Sequence, residues 1–203
     1  LLVDIYSRAK KLHIENNIRR IVYLIETNID KDMNIVEIVR SIFPAKTKDF
    51  VTAVDEHSII LVKELREKET MDEIEKIAKM ITDTLSTELN VKVYISIGTV
   101  VSDLKDVSRS YKEAKMALEV GKIFESDKYI VNYEKLGIGR LIYQLPLSLC
   151  KMFIKEVLHG LTMDDFDEET LATVNKFFEN NLNVSETSRQ LYIHRNTLVY
   201  RLD

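Results

Sequence analysis

Cysteine occurs once, at Cys150, so neither an intrachain disulfide framework nor a cysteine-rich metal site can form. A reducing, cytoplasmic compartment fits that usage. Glycine and proline are scarce, five and two, so breaks between elements must be read from changes of hydrophobic period. No apolar run approaches the roughly 18 residues of a membrane span, and no signal peptide is visible. Nor does one sign of charge dominate: 29 Lys and Arg stand against 33 Asp and Glu, a net charge of −4. That excludes a uniformly basic nucleic-acid coat but leaves room for a local basic patch. What is present is globular, 45% hydrophobic and 31% charged over 203 residues, enough for one or two domains. The chain opens on Leu1 rather than Met and stops at Leu202-Asp203 inside a helical pattern. It reads as part of a longer protein, whose remaining segments could hold an effector site.

Period then divides the chain into elements. Leu2, Ile5, Ala9 and Leu12 recur at helical spacing. Arg20 to Thr27 is a β-branched run without helical period, the pattern of a buried strand. Asp32 to Ile42 predicts a helix with Ile35, Ile38, Val39 and Ile42 on one stripe, closed by Pro44. Phe50 to Val54 and Ser58 to Leu65 are strand-like and flank Asp55-Glu56-His57, as a hairpin requires. Thr70 and Glu73 make a capping box before a helix with Ile74, Ile77, Ala78, Ile81 and Leu85 inward. Val91 to Val101 is strand-like, with Gly98 marking a bulge or a close backbone approach. A helix over Asp106 to Ile123 and a short strand over Tyr129 to Asn132 complete a β-α-β-β-α-β-α-β order, an α/β sheet domain of two or three layers. Beyond Leu136 only helical patterns follow, so a boundary is expected near residues 136 to 146: 1–136 as the α/β domain, 137–203 as an all-α domain.

The most specific signal lies at the end. Asn183 and Glu186 stand three apart, so each can satisfy the other's amide at a helix start. Val184, Thr187 or Ser188, and Leu191 form the inner side of that helix. Tyr192-Ile193-His194 has the length of the turn in a helix-turn-helix, and Leu198 and Leu202 then face inward. Asn196, Thr197, Tyr200 and Arg201 fall within about 140° on the opposite side. That face is uncharged or cationic, the chemistry that phosphates and base edges call for. The bland alternative, a solvated helix surface, competes with it on pattern alone, and the preceding helix is acidic (Asp164, Asp165, Asp167, Glu168, Glu169).

The run Val184 to Leu202, above all His194-Arg195-Asn196-Thr197-Leu198 followed by Tyr200-Arg201-Leu202, resembles the C-terminal helix-turn-helix of PucR/CdaR-type bacterial transcription regulators, the purine-catabolism and sugar-diacid class. Ser188 stands where that family usually has Ala. The resemblance implies that Arg195 to Leu202 is the recognition helix, that His194, Arg195, Asn196, Thr197, Tyr200 and Arg201 approach DNA, and that Thr187 and Ser185 lie near its backbone. Ser96-Ile97-Gly98 and Ser110 to Leu118, with the strand and helix order, resemble the GGDEF-like domain of the same regulators.

That fold is similar to nucleotide cyclases, which need paired glycines and metal-holding carboxylates at the hairpin. Here the hairpin reads Val54-Asp55-Glu56-His57-Ser58, with both glycines gone, and Asp55-Glu56 reads as ordinary turn solvation. His13, His57, His159 and His194 have no metal-ligand spacing. Cys150, in the apolar stretch LSLCKMFI, reads as a buried structural thiol rather than a nucleophile, and Gly137-Ile138-Gly139 lacks the rest of a dinucleotide fingerprint. The expectation is therefore a degenerate, non-enzymatic cyclase-like α/β domain followed by a helix-turn-helix domain, with no cofactor and no metal. Its partner would be double-stranded DNA, bound as a homodimer or higher homo-oligomer, under control of a small metabolite such as a sugar diacid. The competing reading is a nucleotide- or metabolite-binding signalling or assembly domain with no catalysis.

Overall fold

A computed structural model describes residues 2–28, 34–44, 48–124 and 129–202. The chain divides into two compact units, residues 1–144 and 145–203.

The first unit is built on a five-stranded sheet of order β2-β3-β1-β4-β5. Its strands are β1 (Arg20–Thr27), β2 (Phe50–Ala53), β3 (Ser58–Glu64), β4 (Val93–Ile97) and β5 (Ile130–Asn132). β1 lies at the centre, antiparallel to β3 (Val22 opposite Val62) and to β4 (Ile25 opposite Ile95). Both faces of β1 are covered, which is why its sequence is apolar without alternation. Ile21, Tyr23 and Ile25 point to one side, where α2 (Asn34–Ile42) and α3 (Met71–Leu89) pack through Ile35, Val39, Ile74, Ala78, Ile81 and Leu85. Val22 and Leu24 point to the other, onto Ala114 and Leu118 of α4 (Val107–Phe124). The domain is thus three-layered. β4 and β5 are parallel, and α4 supplies the crossover that a parallel pair needs. Thr70 and Glu73 do close both bonds of the capping box on α3. The predicted start of α2 at Asp32 lies outside the described residues. β4 is shorter than the Val91 to Val101 run: the regular ladder stops after Ile97, although the Gly98 N–H still donates to the Val22 carbonyl (2.9 Å) and Val101 pairs again with Arg20.

Gly98 explains how closely α4 approaches. A Cβ there would lie 2.1 Å from the Ser110 carbonyl oxygen. The buried Ser110 hydroxyl accepts from the Val22 N–H (3.1 Å) and donates to the Thr99 carbonyl (2.7 Å), tying helix to sheet.

The division at 144/145 lies within the 136 to 146 range read from the sequence, on its far side from the 136/137 cut. α5 (Gly139–Gln144) belongs to the first unit: the Tyr143 hydroxyl bonds the Glu119 carboxylate of α4, and Gln144 Nε2 lies 3.7 Å from Met116 Sδ. A helical pattern after the last strand says nothing about which unit the helix packs on. The second unit holds α6 (Leu147–Val157), α7 (Glu168–Glu179), α8 (Val184–Gln190) and α9 (Arg195–Leu202). α1 (Leu2–Lys11) completes the first unit, its Tyr6 hydroxyl 3.0 Å from Asp103.

Candidate nucleic-acid interface

Small polar residues let α7, α8 and α9 close on one another. Thr173, Thr187 and Ser188 are buried between them, and Leu198 of α9 is fully covered. Each hydroxyl has a local partner. Thr173 donates to the Glu169 carbonyl (2.8 Å), Ser188 donates to the Ser185 carbonyl (3.0 Å), and Thr187 Oγ1 accepts from Asn180 Nδ2 (3.3 Å). Ser188, where the resembled family usually has Ala, therefore costs no unsatisfied hydroxyl.

Caps set the helix starts. Asp167 accepts from the Thr170 N–H (2.7 Å) at α7, and Asn183 accepts from the Glu186 N–H (3.1 Å) at α8. The capping box expected at α8 is only half made. Glu186 turns instead to Arg189 (2.7 Å) and Gln190 (2.6 Å) on the next turn, and those donors hold its carboxyl below the usual range. At α9 the cap is His194, whose Nδ1 accepts from the Asn196 N–H (3.2 Å). The turn before it runs through Tyr192 in the left-handed region (φ 56°) and returns the Ile193 N–H to the Ser188 carbonyl (3.0 Å).

The expected contact residues separate into three groups. Arg195, Asn196, Thr197 and Tyr200 are exposed on α9, with His194 exposed at its head and Ser185 exposed on α8. Thr187 is turned inward and fully buried, so its side chain cannot meet a DNA backbone. Its neighbours on α7 need a small residue there, and of the two inner positions left open by sequence, both Thr187 and Ser188 are taken. Arg201 forms the third group. Its guanidinium lies 2.6 Å from Glu169 with about a quarter of the side chain exposed, clipping α9 to the first turn of α7. The same guanidinium adds to the Thr170 N–H in holding the Asp167 carboxyl low. Reasoning from sequence did not single out Tyr192, at 96% the most exposed large hydrophobic side chain among the unit's described residues, or exposed Arg189. Tyr192's place inside a three-residue turn was the available signal. α9 itself carries no carboxylate.

At the sheet hairpin, Asp55 accepts from the His57 N–H (2.9 Å), the local turn bond expected of it, and this lowers its carboxyl. Glu26 is paired with Lys122 (2.5 Å). Among the described residues no cluster of three His, Cys, Asp or Glu side chains is placed to hold a metal. A cavity of about 310 Å³ lies beside the hairpin, between Ile35, Val36 and Ile59, with Glu37, Asp55 and Glu56 on its lining.

Residues 2–120 match the GGDEF-like domain family and residues 170–203 the PucR C-terminal helix-turn-helix domain. The chain is 31% identical over 120 residues to the purine catabolism regulatory protein of Bacillus subtilis (strain 168), covering 59% of this chain and 23% of that protein. It is 26% identical over 175 residues to the proline-responsive transcriptional activator PutR of the same organism, covering 82% and 42%. With the carbohydrate diacid regulator of Escherichia coli (strain K12) it shares 23% identity over 205 residues, covering 96% and 53%. The chain thus spans between about a quarter and about half the length of these relatives, and all three are regulators by name.

Proposed function

The chain belongs to the GGDEF-like domain family and closes in a PucR-type helix-turn-helix, and from that premise we propose that it is part of a DNA-binding transcriptional regulator of a metabolic operon. One observation carries this reading. α9 exposes Arg195, Asn196, Thr197 and Tyr200 and no carboxylate, while Leu198 anchors its other side. In the major groove the amide and hydroxyls of that face would read base edges, and Arg195 would meet phosphate or a guanine edge. His194 and Ser185 stand at its margins. Arg201 is assigned to holding the helix rather than to the DNA, because its charge is already engaged by Glu169. The effector is a small metabolite, a sugar diacid or a compound of that kind, bound by a part of the parent protein outside this chain.

The α/β unit serves assembly or signal relay and not catalysis. Its hairpin has no glycine to admit a nucleotide, and the Glu37, Asp55 and Glu56 carboxylates on the adjacent cavity oppose phosphate. Binding of the parent protein to DNA upstream of its own operon, titrated beside a scrambled duplex, tests the reading. Asn196→Ala should weaken binding to the upstream DNA by about 1–3 kcal/mol and leave the scrambled duplex unchanged. Wild-type affinity for both DNAs in the variant would remove this face from the interface.

A further inference from the structure

α6 has 11 residues and buries none of them. At 3.6 residues per turn, Leu149, Phe153, Val157, Cys150, Ile154 and Leu147 follow one another round about 160° of its surface with no polar side chain between them. Leu147, Phe153 and Val157 are 68%, 62% and 55% exposed, and Leu149 and Ile154 more than two-fifths. Lys151, Lys155 and Ser148 occupy the opposite side. A helix this short is marginal in water on propensity alone, and Pro146 before it makes no side-chain cap bond. Among the described residues of its own unit nothing covers the apolar arc.

We infer that this arc is a self-association surface, occupied by α6 of a second copy of this chain. It carries no charge, so an identical copy meets it without like-charge opposition, as a two-fold interface requires of a patch facing itself. Two such arcs, fully covered, bury on the order of 1,000 Å² together, the threshold for a specific interface at the weak, transient end of the range. α6 also lies in the same compact unit as α9. A single recognition helix reads few base pairs, and pairing the units through α6 supplies the second half-site. Only this last argument rests on the DNA-binding reading; the first two stand without it.

Cys150, the single cysteine of the chain, is half-buried rather than buried as its apolar neighbours suggested; it sits near the middle of the arc and gives a direct probe. The 203-residue chain should sediment as a dimer at micromolar concentration, and a short bis-maleimide should link Cys150 to Cys150. Phe153→Glu and Val157→Lys should each lower the cross-linked fraction by about tenfold, whereas Lys155→Glu on the far side should not change it. In the unmodified chain, monofunctional maleimide should label Cys150 more slowly as protein concentration rises, a readout that needs no variant. A chain that stays monomeric throughout overturns the inference, as does association that Phe153→Glu leaves intact. Protection of Cys150 in the parent protein with a monomeric 203-residue chain also overturns it, because a segment of the parent would then be the occupant. Cross-linking that the variants abolish, in a protein that binds no upstream DNA, upholds the self-association and removes the DNA-binding reading instead.

Discussion

Leu198 is the one fully buried apolar side chain among the described residues of 145–203, and Tyr200, two positions on, is 84% exposed. Leu198→Ala should therefore cost about 2–5 kcal/mol of the helical unit's stability. Tyr200→Ala should stay within about ±0.5 kcal/mol. Urea unfolding followed by helix signal separates the two, and equal shifts would mean that the inner and outer sides of α9 are misassigned. Asp167 supplies a residue-level dependence on pH. The Thr170 N–H bonds its charged form, so its folded pKa lies below the unfolded one. Such a group stabilises above the unfolded pKa and loses that contribution as pH falls through the folded value. The helical unit should accordingly soften below about pH 4. In Asp167→Asn, whose amide oxygen still accepts the cap bond, melting temperature should fall less steeply over the same range.

Between elements, contacts rest on places where a side chain is missing or small. Gly98→Ala would drive a methyl into the Ser110 carbonyl and separate α4 from β1 and β4. A loss of about 1–3 kcal/mol or more is expected in thermal unfolding. Gly98 was legible as a close approach because it interrupts a strand-like run, and β1 was legible because burial on both faces removes alternation. The helix starts at Thr70 and Asn183 were legible too, since a cap and its amide are neighbours in sequence. Less could be read where the deciding partner is remote. The Arg201 pairing with Glu169 joins two helices, so a cation on an apparently outer face turned out to be engaged. The resemblance implied a DNA-backbone contact for Thr187, whereas the helical pattern offered it as one of two inner positions, and its full burial follows the pattern. Likewise no helical pattern could show that α5 packs on α4, because its bonds to Glu119 and Met116 are tertiary.

For this chain as a whole, a net charge of −4 makes long-range attraction to DNA unfavourable, so the proposed binding rests on a few local cations. On α9 the free one is Arg195, since Arg201 is held by Glu169 and Arg189 on α8 by Glu186. Counterion release scales with the number of phosphates neutralised, and the slope of log affinity against log salt is about −0.9 for each. Few cations left free on α8 and α9 predict a shallow slope, well short of the value near −10 of a repressor that neutralises many phosphates. Arg195→Ala should flatten it by roughly one more unit per copy and weaken specific and scrambled DNA about equally, as loss of a phosphate contact does. Arg201→Ala should behave otherwise. It frees Glu169, exposed at the start of α7, and loosens α9 without removing a phosphate contact, so affinity should fall while the salt slope stays near that of the parent. Titrations of the parent protein and both variants at two salt concentrations decide between these roles. A slope change in Arg201→Ala equal to that in Arg195→Ala would mean that DNA displaces Glu169 from Arg201, and that the helix clip opens on binding.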